Sequence, residues 1–135
     1  MTKSELCFLA KEKMKDAYSV YSGYKVGAAL LTKSGKVYKG ANVENSSYSA
    51  TICAERVAFS YAVSNGEKDF SMIAIAGGKD GIISGEFPPC GICLQFMSEF
   101  CNKDFKILLV TGNDSFKEYE LKELLPNGFS LGEQI

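Results

Sequence analysis

A chain of 135 residues and 14.7 kDa, 46% hydrophobic and 23% charged, has the length and apolar content for one core that buries roughly two thirds of its unfolded surface. Its 15 Lys and Arg stand against 16 Asp and Glu, so with a net charge of -1 no electrostatic field drives it onto a polyanion, and nucleic-acid binding is not expected. Histidine is absent. That removes Ser-His-Asp and Cys-His catalysis, His-ligated metals and imidazole proton transfer, leaving carboxylates, Lys, Tyr and Cys as acids and bases.

The first residues, MTKSELCFLAKEKMK, are interrupted by charge every few positions, so they read as neither a secretory signal nor a spanning helix. No later apolar run approaches the ~18 residues a membrane span requires. Five cysteines, an odd number, fit a reducing compartment in which thiols stay free, and the expected location is cytoplasmic.

Thr2 followed three positions on by Glu5 is a capping-box pattern, and Leu6, Leu9, Ala10, Met14 and Ala17 continue it at helical spacing. KVGAALLT (25–32) and KVYKGANV (36–43) flank Lys33-Ser34-Gly35 and predict two strands joined by a hairpin turn. SATICAERVAFSYAVS predicts a helix that begins at Ser49 or Thr51 and stops at Asn65-Gly66. FSMIAIAGG (70–78) predicts a buried strand, and after the loop 77–88 Pro89 opens a helix to about Phe100. KILLVTG (106–112) is a further buried strand, Phe116 to Tyr119 a short one, and LKELLP a last helical turn. Strands interleaved with helices imply a sheet covered on both faces. Repeats, low-complexity tracts and linkers are not apparent, so one domain over 1–135 is expected.

Two predicted helix starts carry the reactive side chains: Cys53 and Glu55 in TICAER, and Cys90 and Cys93 in PPCGIC. A helix N-terminus presents unpaired N–H groups and the positive end of its dipole, which favours thiolate over thiol. Cys90 and Cys93, at i and i+3, project from one face and can chelate one tetrahedral ion. Taken alone, such a pair serves redox chemistry, half of a structural zinc clip or a catalytic metal equally well. Cys53 would add a third ligand, and three protein ligands leave a coordination position open, which separates catalytic from structural zinc. Cys7 and Cys101 read as small hydrophobes. In mid-helix, residues two apart point ~200° from one another, so Glu55 reaches the same pocket as Cys53 only because both lie at a helix end.

Cys53-Ala54-Glu55-Arg56 followed by Pro89-Cys90-Gly91-Ile92-Cys93 resembles the zinc-dependent cytidine deaminases, in the small form whose three zinc ligands are all cysteine. YSGYKVGAALLT, GANVENSSYSATICAER and ELLPNGFS resemble the family's segments in matching order, so the likeness covers nearly the whole chain. It implies a three-layer α/β/α sandwich with a mixed, roughly five-stranded sheet. It implies one Zn2+ per chain on Cys53, Cys90 and Cys93, with Glu55 carrying protons during conversion of cytidine or deoxycytidine to the uridine product. Asn42 and Glu44 resemble the pair that binds the ribose 3'-hydroxyl. Tyr24 stands where the family carries an aromatic beside the nucleoside, and Ala54 matches the residue whose backbone meets the base. Phe129 resembles the aromatic that a neighbouring subunit places over the substrate, with Tyr48 near that boundary, so the resemblance implies a homotetramer. Leu94 stands where the family usually has Arg, leaving Arg56 as the cation that offsets the thiolate charge, and Ser49-Ala50 departs from the usual Gly-Leu or Pro-Leu. An aminohydrolase of the same fold acting on a cytosine-containing antibiotic, and a non-catalytic structural zinc module, are the competing readings.

Overall fold

The computed structural model describes residues 1–131. The Thr2 side chain accepts from the Glu5 amide at 3.1 Å and the Glu5 carboxylate accepts from the Thr2 amide at 3.4 Å, so both halves of the capping box open helix α1 (Lys3–Lys13). Met14–Asp16 then tightens into a 3-10 turn. Met14 still reaches the core, whereas Ala17 is already extended and lies outside the helix. Strands β1 (Tyr24–Thr32) and β2 (Val37–Ala41) pair antiparallel as the hairpin pattern predicts. They are followed by α2 (Ala54–Ser64), β3 (Phe70–Lys79), α3 (Gly91–Phe100), β4 (Lys106–Val110), β5 (Phe116–Glu120) and the short α4 (Leu121–Leu124).

The sheet order is β2-β1-β3-β4-β5, antiparallel except where β3 pairs parallel with β4. Because side chains alternate along a strand, its residues divide between two cores. Val26, Ala28, Leu30, Ile73, Ile75, Ile107 and Leu109 face the core shared with α2 and α3. Ala29, Leu31, Ala74, Ala76, Leu108 and Val110 face the one shared with α1. The result is the mixed five-stranded sheet between helical layers that the interleaved pattern implies.

Both chemistry-bearing helices share one face, and an aromatic cluster fixes their relation. Phe59 of α2 lies 6.2 Å from Phe96 and 6.5 Å from Phe100 of α3, and 5.1 Å from Phe70 at the start of β3 (ring centroids). Aromatic pairs at such separations add directional attraction to the burial of large apolar surface.

Two helix starts differ from the sequence reading. Thr51 to Cys53 are extended rather than helical, because Ile52 exchanges backbone hydrogen bonds with Val43 at 2.9 and 3.0 Å. Tyr48–Ala50 forms only a 3-10 turn, so α2 begins at Ala54 with Cys53 as its N-cap. Likewise α3 begins at Gly91 with Cys90 as its N-cap, two residues after Pro89.

Gly40 on β2 lets α2 lie this close to the sheet. A Cβ there would sit 2.5 Å from the Ala58 nitrogen and 2.6 Å from the Ala54 oxygen, both backbone atoms that cannot rotate aside. Gly40→Ala therefore must displace the first turn of α2, and urea unfolding should show a loss of about 1–3 kcal/mol, the usual cost of overpacking. A variant as stable as the parent would mean that α2 is free to shift.

Candidate metal centre

The N-caps Cys53 and Cys90 have nearly the same extended backbone, with φ/ψ of -71/152 and -73/167, and neither uses its side chain to cap its helix. Their sulfurs thus remain available at two helix N-termini on the same side of the sheet. Cys93, in the first turn of α3, completes a cluster in which all three sulfurs lie within 4.8 Å of one another. Cys53 and Cys90 Sγ are 3.8 Å apart, Cys90 and Cys93 Sγ 3.5 Å, so the thiols are separate rather than disulfide-bonded.

Tetrahedral thiolates at a Zn–S distance of ~2.3 Å stand ~3.8 Å from one another, so the observed spacing fits a single zinc ion. The donor chemistry agrees, since soft sulfur ligands suit zinc and no histidine competes. Cys93 is 1% exposed while Cys90 is open to solvent, which seats the cluster with one side covered by protein and the other accessible.

A hydrogen bond from Cys93, aided by Arg56, holds the Cys53 thiol down to about 5, whereas Cys93, the donor of that bond and itself buried, is pushed far up. Arg56 Nη2 donates to Cys53 Sγ at 3.8 Å and to the Thr51 carbonyl at 3.4 Å. Arg56 thus lies within reach of Cys53, although its Nε is buried without a hydrogen-bond partner among the described residues. Leu94 is 7% exposed and packs into the α2/α3 core, so its side chain supplies no charge to the sulfurs.

Glu55 is 4% exposed, and this burial pushes its carboxyl up to about 7, with the Cys53 thiolate adding to the rise. Cys53 is the N-cap of α2 and Glu55 lies in its first turn, and the charge of the one acts on the other. A carboxyl poised near neutrality beside a metal-binding cluster is suited to both accept and return a proton. Ala54 between them is fully buried.

Of the remaining predicted residues, Tyr24 opens β1, and Asn42 and Glu44 follow β2. Asn42 is tied to β1 rather than free: its side-chain oxygen accepts from the Val26 amide at 2.9 Å, and its side-chain nitrogen donates to the Tyr24 carbonyl at 2.8 Å. Glu44 accepts from the Tyr21 and Ser22 amides at 2.9 and 3.1 Å and from the Ser22 hydroxyl, and the Ser22 bonds chiefly hold its carboxyl below the usual range. Tyr21, Ser22, Glu44, Tyr48 and Thr51 line a cleft of about 340 Å³. Tyr24 is half-exposed beside Phe87, 6.0 Å away. A larger cleft, about 630 Å³ between α1 and the β4–β5 turn, contains no member of the sulfur cluster, so size does not mark the chemistry here.

Phe129 is 55% exposed, and its carbonyl accepts from Gln95 Nε2 of α3 at 2.8 Å, so the terminal segment rests on the metal-cluster helix of its own chain. Tyr48 is exposed at 76% and meets Tyr21 edge-on. Gln95, Phe87 and Lys79, whose Nζ donates to the Ser22 carbonyl, were not singled out from the sequence. Their contacts join residues 34 and more positions apart and leave no local pattern to read.

Comparison with known proteins accords with this geometry. Residues 1–109 match the family model for the cytidine and deoxycytidylate deaminase zinc-binding region. A cytidine deaminase of Sporosarcina psychrophila is 41% identical over 130 residues, covering 96% of this chain and 93% of the relative. A blasticidin-S deaminase of Bacillus cereus is 31% identical over 126 residues, covering 90% of this chain and 88% of the relative. A crystal structure of cytidine deaminase from Burkholderia pseudomallei superposes with a TM-score of 0.87 at 38% identity, over 96% of this chain and all of that one. With a fold shared over nearly its whole length and three sulfurs at zinc spacing, the chain belongs to the zinc-binding cytidine and deoxycytidylate deaminase family.

Proposed function

We propose that this chain catalyses the hydrolytic deamination of free cytidine and 2'-deoxycytidine to uridine and 2'-deoxyuridine with release of ammonia, as a salvage reaction in the cytoplasm. The observation that carries this reading is the three-sulfur cluster with a buried carboxyl, Glu55, two residues after one of its members in the first turn of α2. Cys53, Cys90 and Cys93 hold zinc, and Arg56 offsets part of the charge that three thiolates bring. Zinc, when bound, supplies the Lewis acidity that makes water a nucleophile near neutral pH. Glu55 takes a proton from the attacking water and delivers it to N3 of the pyrimidine; it then takes the remaining proton from the new C4 hydroxyl and gives it to the amine, so that the C4–N bond breaks, C4=O forms and ammonia leaves. Cytidine and water thus become uridine and ammonia, and Glu55 ends in the state in which it began.

Tyr24, Asn42 and Glu44 form the nucleoside wall in this reading, with the Ala54 backbone toward the base. Asn42 acts through its fixed orientation, since both ends of its amide are engaged with β1. The catalytic domain spans 1–135, its last four residues lying outside those described. Tyr18, Val20, Tyr21, Val43, Tyr48 and Ile52 are exposed apolar residues. Backbone bridges from Tyr18 to Val43 and from Val43 to Ile52 make three of them neighbours. A surface of this kind supports association with further copies as a homotetramer, in which Phe129 of one chain covers the site of another. Among the described residues no helix is long and apolar enough to cross a membrane.

The relative that is a blasticidin-S deaminase gives one specific ground for a second substrate, a cytosine-bearing antibiotic. Turnover of cytidine against blasticidin S on the same preparation decides between the two.

Three outcomes follow from the site. Glu55→Gln lowers kcat on cytidine by about 10²–10⁴-fold, read as loss of aminopyrimidine absorbance, while zinc content is retained; full activity in this variant would assign the proton transfers elsewhere. Metal analysis of the purified protein gives roughly one zinc per chain. Cys53→Ala, Cys90→Ala and Cys93→Ala each lose most of it, whereas Cys101→Ala keeps it; a metal-replete Cys90→Ala would remove that sulfur from the ligand set. Size-exclusion chromatography with light scattering gives four times the 14.7 kDa chain mass, and a monomer at working concentration would leave Phe129 without a neighbouring site to enter.

A further inference from the structure

Lys79 is the last residue of β3 and stands opposite Tyr24 in the β1/β3 ladder. Its Nζ donates to the Ser22 carbonyl at 2.5 Å and lies 5.2 Å from the centre of the Tyr24 ring. The backbone between those two residues is shaped to admit it. Gly23 has φ +76, and a Cβ there would be 3.1 Å from Lys79 Nζ and 3.3 Å from Asp80 Oδ1. The Asp80 amide donates to the Gly23 carbonyl at 2.7 Å, so β3 reaches the turn through successive residues.

The same turn is held from its other side by Glu44, which accepts from the Tyr21 and Ser22 amides, while Tyr24 N donates to Ser22 Oγ at 3.0 Å. Residues 21 to 24 are thus gripped by a carboxylate on their N–H groups and by an ammonium on a carbonyl and a ring. A cation over an aromatic face and a charge-assisted hydrogen bond both favour one orientation of the groups they join.

We propose that Lys79 is a positioning residue for the nucleoside site, its ammonium clamping the Ser22 carbonyl and the Tyr24 ring so that Tyr24 and Glu44 keep the relative placement that a pyrimidine nucleoside requires. This rests on the reading of Tyr24 and Glu44 as nucleoside wall. Lys79 itself touches no reacting atom, and the sulfur cluster and Glu55 belong to other elements, so the clamp acts on binding rather than on the chemical step.

Steady-state kinetics on cytidine with Lys79→Met, Lys79→Arg and Glu44→Gln test it, together with amide hydrogen exchange in the absence of substrate. Lys79→Met, which keeps the stem and removes the charge, raises KM about fivefold and leaves kcat within about twofold of the parent. Lys79→Arg, still a cation and a donor, returns KM to within about twofold of the parent. The Tyr21 and Ser22 amides exchange faster in Lys79→Met and regain protection in Lys79→Arg. A loss in Lys79→Met carried by kcat alone, or a raised KM that Arg does not restore, reflects a general structural effect and overturns the proposal. A KM raised in Glu44→Gln but not in Lys79→Met leaves the nucleoside wall standing and removes Lys79 from it. A KM unmoved in both locates the fault in the nucleoside-wall reading, and the proposal falls with it.

Discussion

Three sulfurs within 4.8 Å of one another cannot all ionise unless positive charge is close by, and the rest of the site is arranged around that constraint. Two helix N-termini point at the cluster, Cys53 and Cys90 occupy the N-cap positions themselves, and Arg56 reaches Cys53 from within α2. In the apoprotein a hydrogen bond from Cys93, aided by Arg56, holds the Cys53 thiol down, while the proton of that bond keeps Cys93 high. A divalent cation replaces that proton, which makes metal affinity fall as pH is lowered and ties ligand charge to metal occupancy. Glu55 shares the same electrostatics. Its burial and the neighbouring thiolate both disfavour a carboxylate, and the resulting value near neutrality is what a group that both takes and gives protons needs.

The fold brings these groups together through contacts well away from the sulfurs. α2 and α3 lie on the same face of the sheet, and the Phe59, Phe70, Phe96 and Phe100 cluster sets their separation. Gly40 sets the depth of α2 against β2. Because α3 lies in the connection from β3 to its parallel neighbour β4, its N-terminus falls toward the carboxyl end of β3, where open α/β sheets place their ligands. The carboxyl end of β3 is also where Lys79 meets the turn before β1. A single strand end thus leads into the loop that delivers two sulfurs and supports the turn before β1.

Local chemistry made the CxxC pair and most elements readable. The capping box of α1, the Gly35 hairpin and the i, i+3 sulfurs of α3 each depend on residues a few positions apart. The start of α2 was not readable in the same way, since SATICAER has helical composition throughout. Pairing of Ile52 with Val43, nine residues upstream, holds 51–53 extended and puts Cys53 at the cap. The polar residues of the wall show the same limit. Asn42 is recognisable as a polar residue after a strand, but its engagement with Val26 and Tyr24 follows from the register of β1 against β2, and Gln95 with Phe129 follows from the path of the terminal segment.

Leu94 bears on how much charge the site carries. Its side chain packs with α2 and α3 in a dry core, where a guanidinium would have to be desolvated or turn out toward the sulfurs. The chain therefore meets its thiolate charge with one arginine and two helix termini rather than with two arginines. Arg56 Nη2 already divides its donors between Cys53 and the Thr51 carbonyl, so it sets positive charge beside the cluster and adds a tie to the extended approach to α2. Loss of that guanidinium would remove one tie on the backbone before Cys53 as well as one of the groups that hold its thiol down. In this protein one side chain thus bears on both the geometry and the electrostatics of the first sulfur.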